Sequence, residues 1–209
     1  MLHARLAALE GAEDALVTST GMAAMSAALL GLCASGDRVL AARGLYGGTH
    51  ALLAEELPRL GIETDFVDPH DPASWAAAVR PQTRVFVVES ISNPLCRVCD
   101  LPAVASFCRE KGIISLVDNT FASPVNFAPV AHGFDLVHHS ATKYLNGHSD
   151  LVAGVLAGRS ALVEKAVRIV RRLGASLDPH ACFLLERGLK TLVVRVERHN
   201  SNAQRVAEF

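Results

Sequence analysis

The stretch RVFVVESISNPLCRVCDLPAVASFCREKGIISLVD, residues 84–118, decides how the chain reads. Its two ends, 84–90 and 113–118, are near-continuous apolar runs rich in β-branched residues, and 101–111 between them carries a helical pattern. Strand, helix and strand in that order make a crossover unit, whose two strands lie parallel and are buried on both faces.

The same alternation runs outward in both directions. Further strands are expected at ALVTS (15–19), RVLAA (38–42), ETDFV (63–67), DLVHH (135–139) and LVAGVLAG (151–158). Helical segments are expected near 22–33, 48–60, 72–79, 159–173 and 180–208. The expected fold is therefore α/β, a mainly parallel seven-stranded sheet flanked by helices. The helix over 180–208 carries a broad apolar stripe, including Phe183, Leu185, Leu192 and Val196, with no obvious partner elsewhere in the chain.

Half of the 209 residues are hydrophobic and a fifth are charged, enough to bury one sizeable core and too apolar for disorder. A formal net charge of −1 gives no basic face for nucleic acid or an anionic membrane. No apolar run approaches the ~20 residues that span a bilayer. The opening MLHARLAALEGAED sets Leu2, Leu6 and Leu9 at helical spacing among charges and lacks the apolar core of a signal peptide, so the cytoplasm is the expected compartment. The five cysteines are an odd number without an export signal, which favours free thiols. Cys96 and Cys99 form a C-x-x-C pair with no second pair to complete a zinc site, and no metal is expected. His138 and His139 are adjacent on a strand and face opposite ways, one inward and one outward, rather than forming a ligand pair.

Ligands of such a sheet sit beyond the carboxyl ends of its strands. After 15–19 come Thr20, Gly21 and Met22, a helix start whose free N–H groups and dipole suit a phosphate. After 38–42 a glycine-rich turn, GLYGGTH, presents Tyr46, and after 84–90 comes Ser92-Asn93-Pro94. The next strand ends on Asp118, and the one after it is followed by Ser140, Thr142 and Lys143. Taken singly, these are a turn glycine, a helix-capping Asp and a solvated lysine. Neither a P-loop nor a G-x-G-x-x-G fingerprint is present, so nucleotide binding has only the fold class behind it.

Together the residues offer what pyridoxal 5′-phosphate (PLP) requires: a lysine for its aldehyde, an acid for its ring nitrogen, a phosphate cradle and a ring to stack on. HSATKYLNGHSD (139–150) closely resembles the lysine segment of the PLP-dependent enzymes of cysteine and methionine metabolism, the cystathionine γ-synthases, cystathionine β- and γ-lyases and methionine γ-lyases. The resemblance continues through TSTGMAA, GLYGGTH, ESISNP, VDNTFASP and LDPHACFLLERGLKTLVVRVERH, essentially the whole chain. It implies that Lys143 holds the cofactor covalently and shuttles protons. It also implies that the backbone N–H groups of Gly21 and Met22, with the hydroxyls of Ser140 and Thr142, hold the phosphate. By the same resemblance Tyr46 stacks on the ring and approaches the substrate, Asp118 pairs with the ring nitrogen, and Asn93 reaches the 3′ oxygen or the substrate carboxylate.

The resemblance further implies a sulfur-containing amino acid as substrate, β- or γ-elimination or replacement as the reaction, and a homotetramer with sites at subunit interfaces. Members of that family are longer. They have an N-terminal arm whose tyrosine and arginine reach a neighbouring subunit's phosphate, and a C-terminal domain whose arginine grips the substrate carboxylate. Residues 1–209 are accordingly expected to be the large cofactor-binding domain, truncated at both ends, with 180–208 leading toward a C-terminal domain. The alternatives are a non-catalytic remnant of such a domain and a related aminotransferase, the latter disfavoured by YLNGHSD.

Overall fold

Val85, Phe86, Val87 and Val88 are all fully buried, which consecutive strand residues can be only where the sheet is covered on both faces. The computed structural model describes residues 1–209 and places these four on an interior strand of one seven-stranded sheet. The strands are β1 (Asp14–Thr18), β2 (Arg38–Ala42), β3 (Glu63–Val67), β4 (Thr83–Glu89), β5 (Ile114–Asp118), β6 (Leu136–Ser140) and β7 (Gly154–Gly158), in the order β1-β7-β6-β5-β4-β2-β3. All pairings are parallel except those of β7, which runs antiparallel to β1 and β6. The carboxyl ends of the other six strands therefore share one edge.

The helices are α1 (Leu2–Glu10), α2 (Gly21–Leu32), α3 (Gly47–Ala51), α4 (Leu57–Arg59), α5 (Pro72–Ala78), α6 (Leu101–Lys111), α7 (Ser123–Asn126), α8 (Ser160–Leu173), α9 (Pro179–Leu189) and α10 (Leu192–Ala207). A π-helical turn, Leu52–Glu56, joins α3 to α4. Thr20 caps α2, Asp100 caps α6 and Asp178 caps α9, each accepting backbone N–H groups of the first turn. Two cores follow from the period of the strands. Leu16 and Leu156 point to the core shared with α2 and α8, whereas Val17, Val155 and Ala157 point to the one shared with α1, α9 and α10.

Three expectations need correction. The helix over 180–208 is two helices, broken at Lys190 and Thr191. There the Thr191 hydroxyl and Arg195 Nη2 both donate to the Gly188 carbonyl, taking an acceptor that a continuous helix would use. Its apolar stripe divides as well: Leu185, Leu192 and Val196 are buried against α1, β1 and β7, while Phe183 and Val193 are exposed. The last strand starts at Gly154 rather than 151, because the Ala153 backbone is bonded to Thr142. His138 and His139 do face opposite ways, but both are buried, since each face of β6 is covered. No helix is long and apolar enough to cross a membrane.

Candidate active site at the carboxyl edge of the sheet

The Thr20–Gly21 backbone leaves β1 and crosses the start of β7 to reach β6. Gly154 makes that crossing possible: a Cβ there would stand 2.1 Å from the Thr20 carbonyl oxygen. Gly21 is then so close to Ser140 that an added Cβ would lie 3.1 Å from both its Cα and its Cβ. Because the Thr20 side chain takes the Ala23 N–H, the N–H groups of Gly21 and Met22 remain free at the start of α2. Gly21 sits beside the Ser140 side chain.

Asp118 closes β5 and its carboxylate is tightly held. Thr120 donates to Oδ1 from its backbone N–H at 3.0 Å and from its hydroxyl at 2.5 Å. Nδ1 of His138 lies 3.0 Å from Oδ2, though not aligned as a hydrogen bond. Burial alone would raise the Asp118 carboxyl, but the His138 charge close beside it and the two Thr120 hydrogen bonds outweigh it and hold it down at about 2. The Thr120 hydroxyl also accepts the Ser140 N–H at 2.8 Å, joining the ends of β5 and β6.

Tyr46 opens α3 and is 52% exposed. Its ring lies over Gly48, where a Cβ would meet Cε1 at 2.7 Å and the Met22 sulfur at 3.1 Å. The tyrosine is thus beside the start of α2. Its backbone N–H donates to Glu89 Oε1 at 2.5 Å. Glu89 ends β4 directly opposite Asp118 in register, and its Oε2 is buried without a partner. Burial chiefly, with the Asp118 charge, raises its carboxyl to about 7 against the pull of the Tyr46 N–H and His138. Asn93 is exposed in the loop after β4 and forms a cis peptide bond with Pro94.

Lys143 is exposed in a turn that follows β6 directly, its N–H bonded to the Ser140 carbonyl and its own carbonyl to the Gly147 N–H at 2.7 Å. Two side chains clamp that turn. Thr142 Oγ1 is engaged with the Ala153 backbone, donating at 3.3 Å and accepting at 3.1 Å, so its hydroxyl is less free than that of Ser140. From α10, Arg195 donates to the Tyr144 carbonyl at 2.8 Å and to the Gly188 carbonyl at 2.9 Å.

The edge therefore gathers Gly21, Met22, Asp118, Ser140 and Tyr46, with Lys143 on the adjoining turn. Sequence reasoning missed Thr120, Glu89, His138 and Arg195. The Asp-x-Thr spacing at 118–120, a side chain capping its own backbone two residues on, could have signalled Thr120. Nothing local signalled the other three, whose partners are distant in sequence.

Free helix-start amides, a small-residue cradle, a low carboxylate and a lysine on a fixed turn fit a phosphorylated pyridine aldehyde. The comparisons agree. The chain is 42% identical over 205 residues to an O-succinylhomoserine sulfhydrylase of Pseudomonas aeruginosa, covering 98% of the chain and 51% of the relative. A cystathionine γ-lyase of Lactobacillus plantarum, solved with L-serine, superposes with a TM-score of 0.96 at 35% identity, over 99% of this chain and 54% of that one. A Campylobacter jejuni protein described as an O-acetylhomoserine (thiol)-lyase, solved with a pyridoxyl-lysine phosphate, gives a TM-score of 0.94 at 32% identity, over 99% and 60%. The chain spans about half the length of the curated relatives it matches. The Cys/Met metabolism PLP-dependent enzyme family matches residues 1–209, and the chain belongs to that family.

Proposed function

We propose that the protein is a PLP-dependent carbon–sulfur lyase or γ-synthase acting on a sulfur-containing amino acid by β- or γ-elimination or replacement. The observation that carries this reading is the convergence of Asp118, Thr120, Ser140 and Gly21 beside the lysine turn. The Gly21 and Met22 N–H groups and the Ser140 hydroxyl would hold the phosphate, and Thr142 would join them by turning its O–H away from the Ala153 carbonyl, a bond of 3.3 Å. Asp118, held as an anion, would pair with the ring nitrogen and keep it protonated. Tyr46 would stack on the ring, and Asn93 would reach its 3′ oxygen or the substrate carboxylate.

When bound, the cofactor supplies an aldehyde and a ring that accepts the electron pair left on Cα. Lys143 would take the Cα proton on its Nζ and hand a proton to the sulfur or oxygen that departs from Cβ or Cγ with the electron pair of the broken bond. The exposure of Tyr46, Asn93 and Lys143 supports completion of the site by a neighbouring subunit in a homotetramer. The compartment we propose is the cytoplasm.

The test is product analysis of the cofactor-loaded protein offered cystathionine, methionine, cysteine and an O-acylhomoserine with a thiol. Pyruvate, 2-oxobutyrate or a new thioether is expected from at least one. Amino transfer to a keto acid in place of these products would favour an aminotransferase instead.

A further inference from the structure

We propose that His138 is a positioning residue of this site, an imidazolium that ties the Asp118 carboxylate to the Gly21 carbonyl at the start of α2. Glu89 and Asp118 end β4 and β5, and His138, in the middle of β6, is the cross-strand neighbour of Asp118. His138 is only 3% exposed. Its Nε2 is 2.8 Å from the Gly21 carbonyl oxygen and its Nδ1 is 3.0 Å from Asp118 Oδ2.

Both facing atoms can only accept a proton: one is a carbonyl oxygen, and the other belongs to a carboxylate whose second oxygen already takes two Thr120 donors. A neutral imidazole has a single N–H and would aim a bare lone pair at one of these acceptors. Only the doubly protonated ring turns an N–H toward each, bonding the Gly21 carbonyl and meeting Asp118 Oδ2 as a close charge pair rather than an aligned hydrogen bond. The charged groups facing it are Asp118 from β5 and Glu89 from β4, and α2 contributes the Gly21 carbonyl. Burial opposes the cation, but these partners outweigh it and lift His138 above its ordinary value.

Two consequences follow for the site. With Oδ1 held by Thr120 and Oδ2 facing His138, the Asp118 carboxylate has a fixed orientation. The first residue of α2, with the free amides beside it, is held at a set distance from that acid. The meaning of this for the cofactor rests on the function proposed above; the protonation state and the bridge do not.

The test uses the 209-residue chain without added cofactor. Nitrogen-15 spectra of the imidazoles should show the His138 ring still doubly protonated above the ordinary ~6.5, a signal missing from His138→Gln. The Gln amide can still donate to Gly21 but carries no charge, so the Asp118 carboxyl, followed by carbon-13, should titrate at least about one pH unit higher in the variant. His138→Asn, which keeps a donor toward Asp118, should show the same shift. A His138 that loses its second proton at or below the ordinary ~6.5, or an Asp118 titration unmoved in both variants, would overturn the proposal. A second arm measures PLP affinity, which should fall about tenfold or more in His138→Gln, an effect of roughly 1.4 kcal/mol. Failure of the unsubstituted chain to bind PLP would sink the proposed function and leave the spectra to decide the role of His138.

Discussion

The guanidinium of Arg195, on α10, donates to the backbone carbonyl of Tyr144 at 2.8 Å and so fixes the chain one residue beyond Lys143. The same side chain bonds the Gly188 carbonyl and the Thr191 hydroxyl. One residue thus holds the lysine turn, the end of α9 and the break between α9 and α10 together. Gly188 belongs to this arrangement, since a Cβ there would stand 2.4 Å from the Asn146 carbonyl oxygen.

Arg195→Met should keep the aliphatic packing and remove all three donated bonds. The expected cost is about 1–2 kcal/mol in a urea melt, reduced because the guanidinium is partly in water. Amide exchange at Gly147, which bonds the Lys143 carbonyl, should quicken about tenfold. Unchanged exchange there would show that the turn stands without the arginine.

Asp118→Asn keeps the shape of the side chain and removes its charge. His138 would then be a buried cation without its main counter-ion, and breaking such a pair costs about 3 kcal/mol. In the cofactor-loaded protein, turnover should fall at least about 100-fold, because the ring nitrogen loses its anion. Activity within a few-fold of the unsubstituted protein would demote Asp118 to a structural link between β5 and β6.

Glu89 should make the fold weaker in alkali. Its folded value, about 7, lies above the ordinary 4.5, so the folded chain binds this proton more tightly than the unfolded chain does. Its contribution to stability is complete below pH 4.5 and is lost as the pH rises through about 7. Glu89→Gln should match the unsubstituted protein in acid and exceed it at pH 8 by about 2 kcal/mol. Urea melts across that range check the sign, and parallel stability curves would contradict it.

The sheet was legible because its signals are local. Consecutive buried positions such as Val85–Val88 demand cover on both faces, and every expected strand is present within a few residues. The order of the strands was not legible, since the antiparallel place of β7 between β1 and β6 depends on the Thr20–Gly21 crossing over Gly154. Candidate residues carried on short motifs at strand ends, such as Asp118 and Ser140, were visible for the same local reason. Residues that act through distant partners were not. The spacing of His138 and Glu89 says nothing of each other, and the Arg195 partner Tyr144 lies 51 positions away. The single long helix expected over 180–208 failed likewise, because the groups that break it meet only in the folded chain.

The central claim is that Lys143, among four lysines, carries the cofactor. The most direct measurement is to incubate the protein with PLP, reduce it with borohydride and map the labelled peptide by mass spectrometry. The expected result is a yellow protein whose reduced label sits on Lys143 alone. Label on Lys111, Lys165 or Lys190, with Lys143 unmodified, would contradict it.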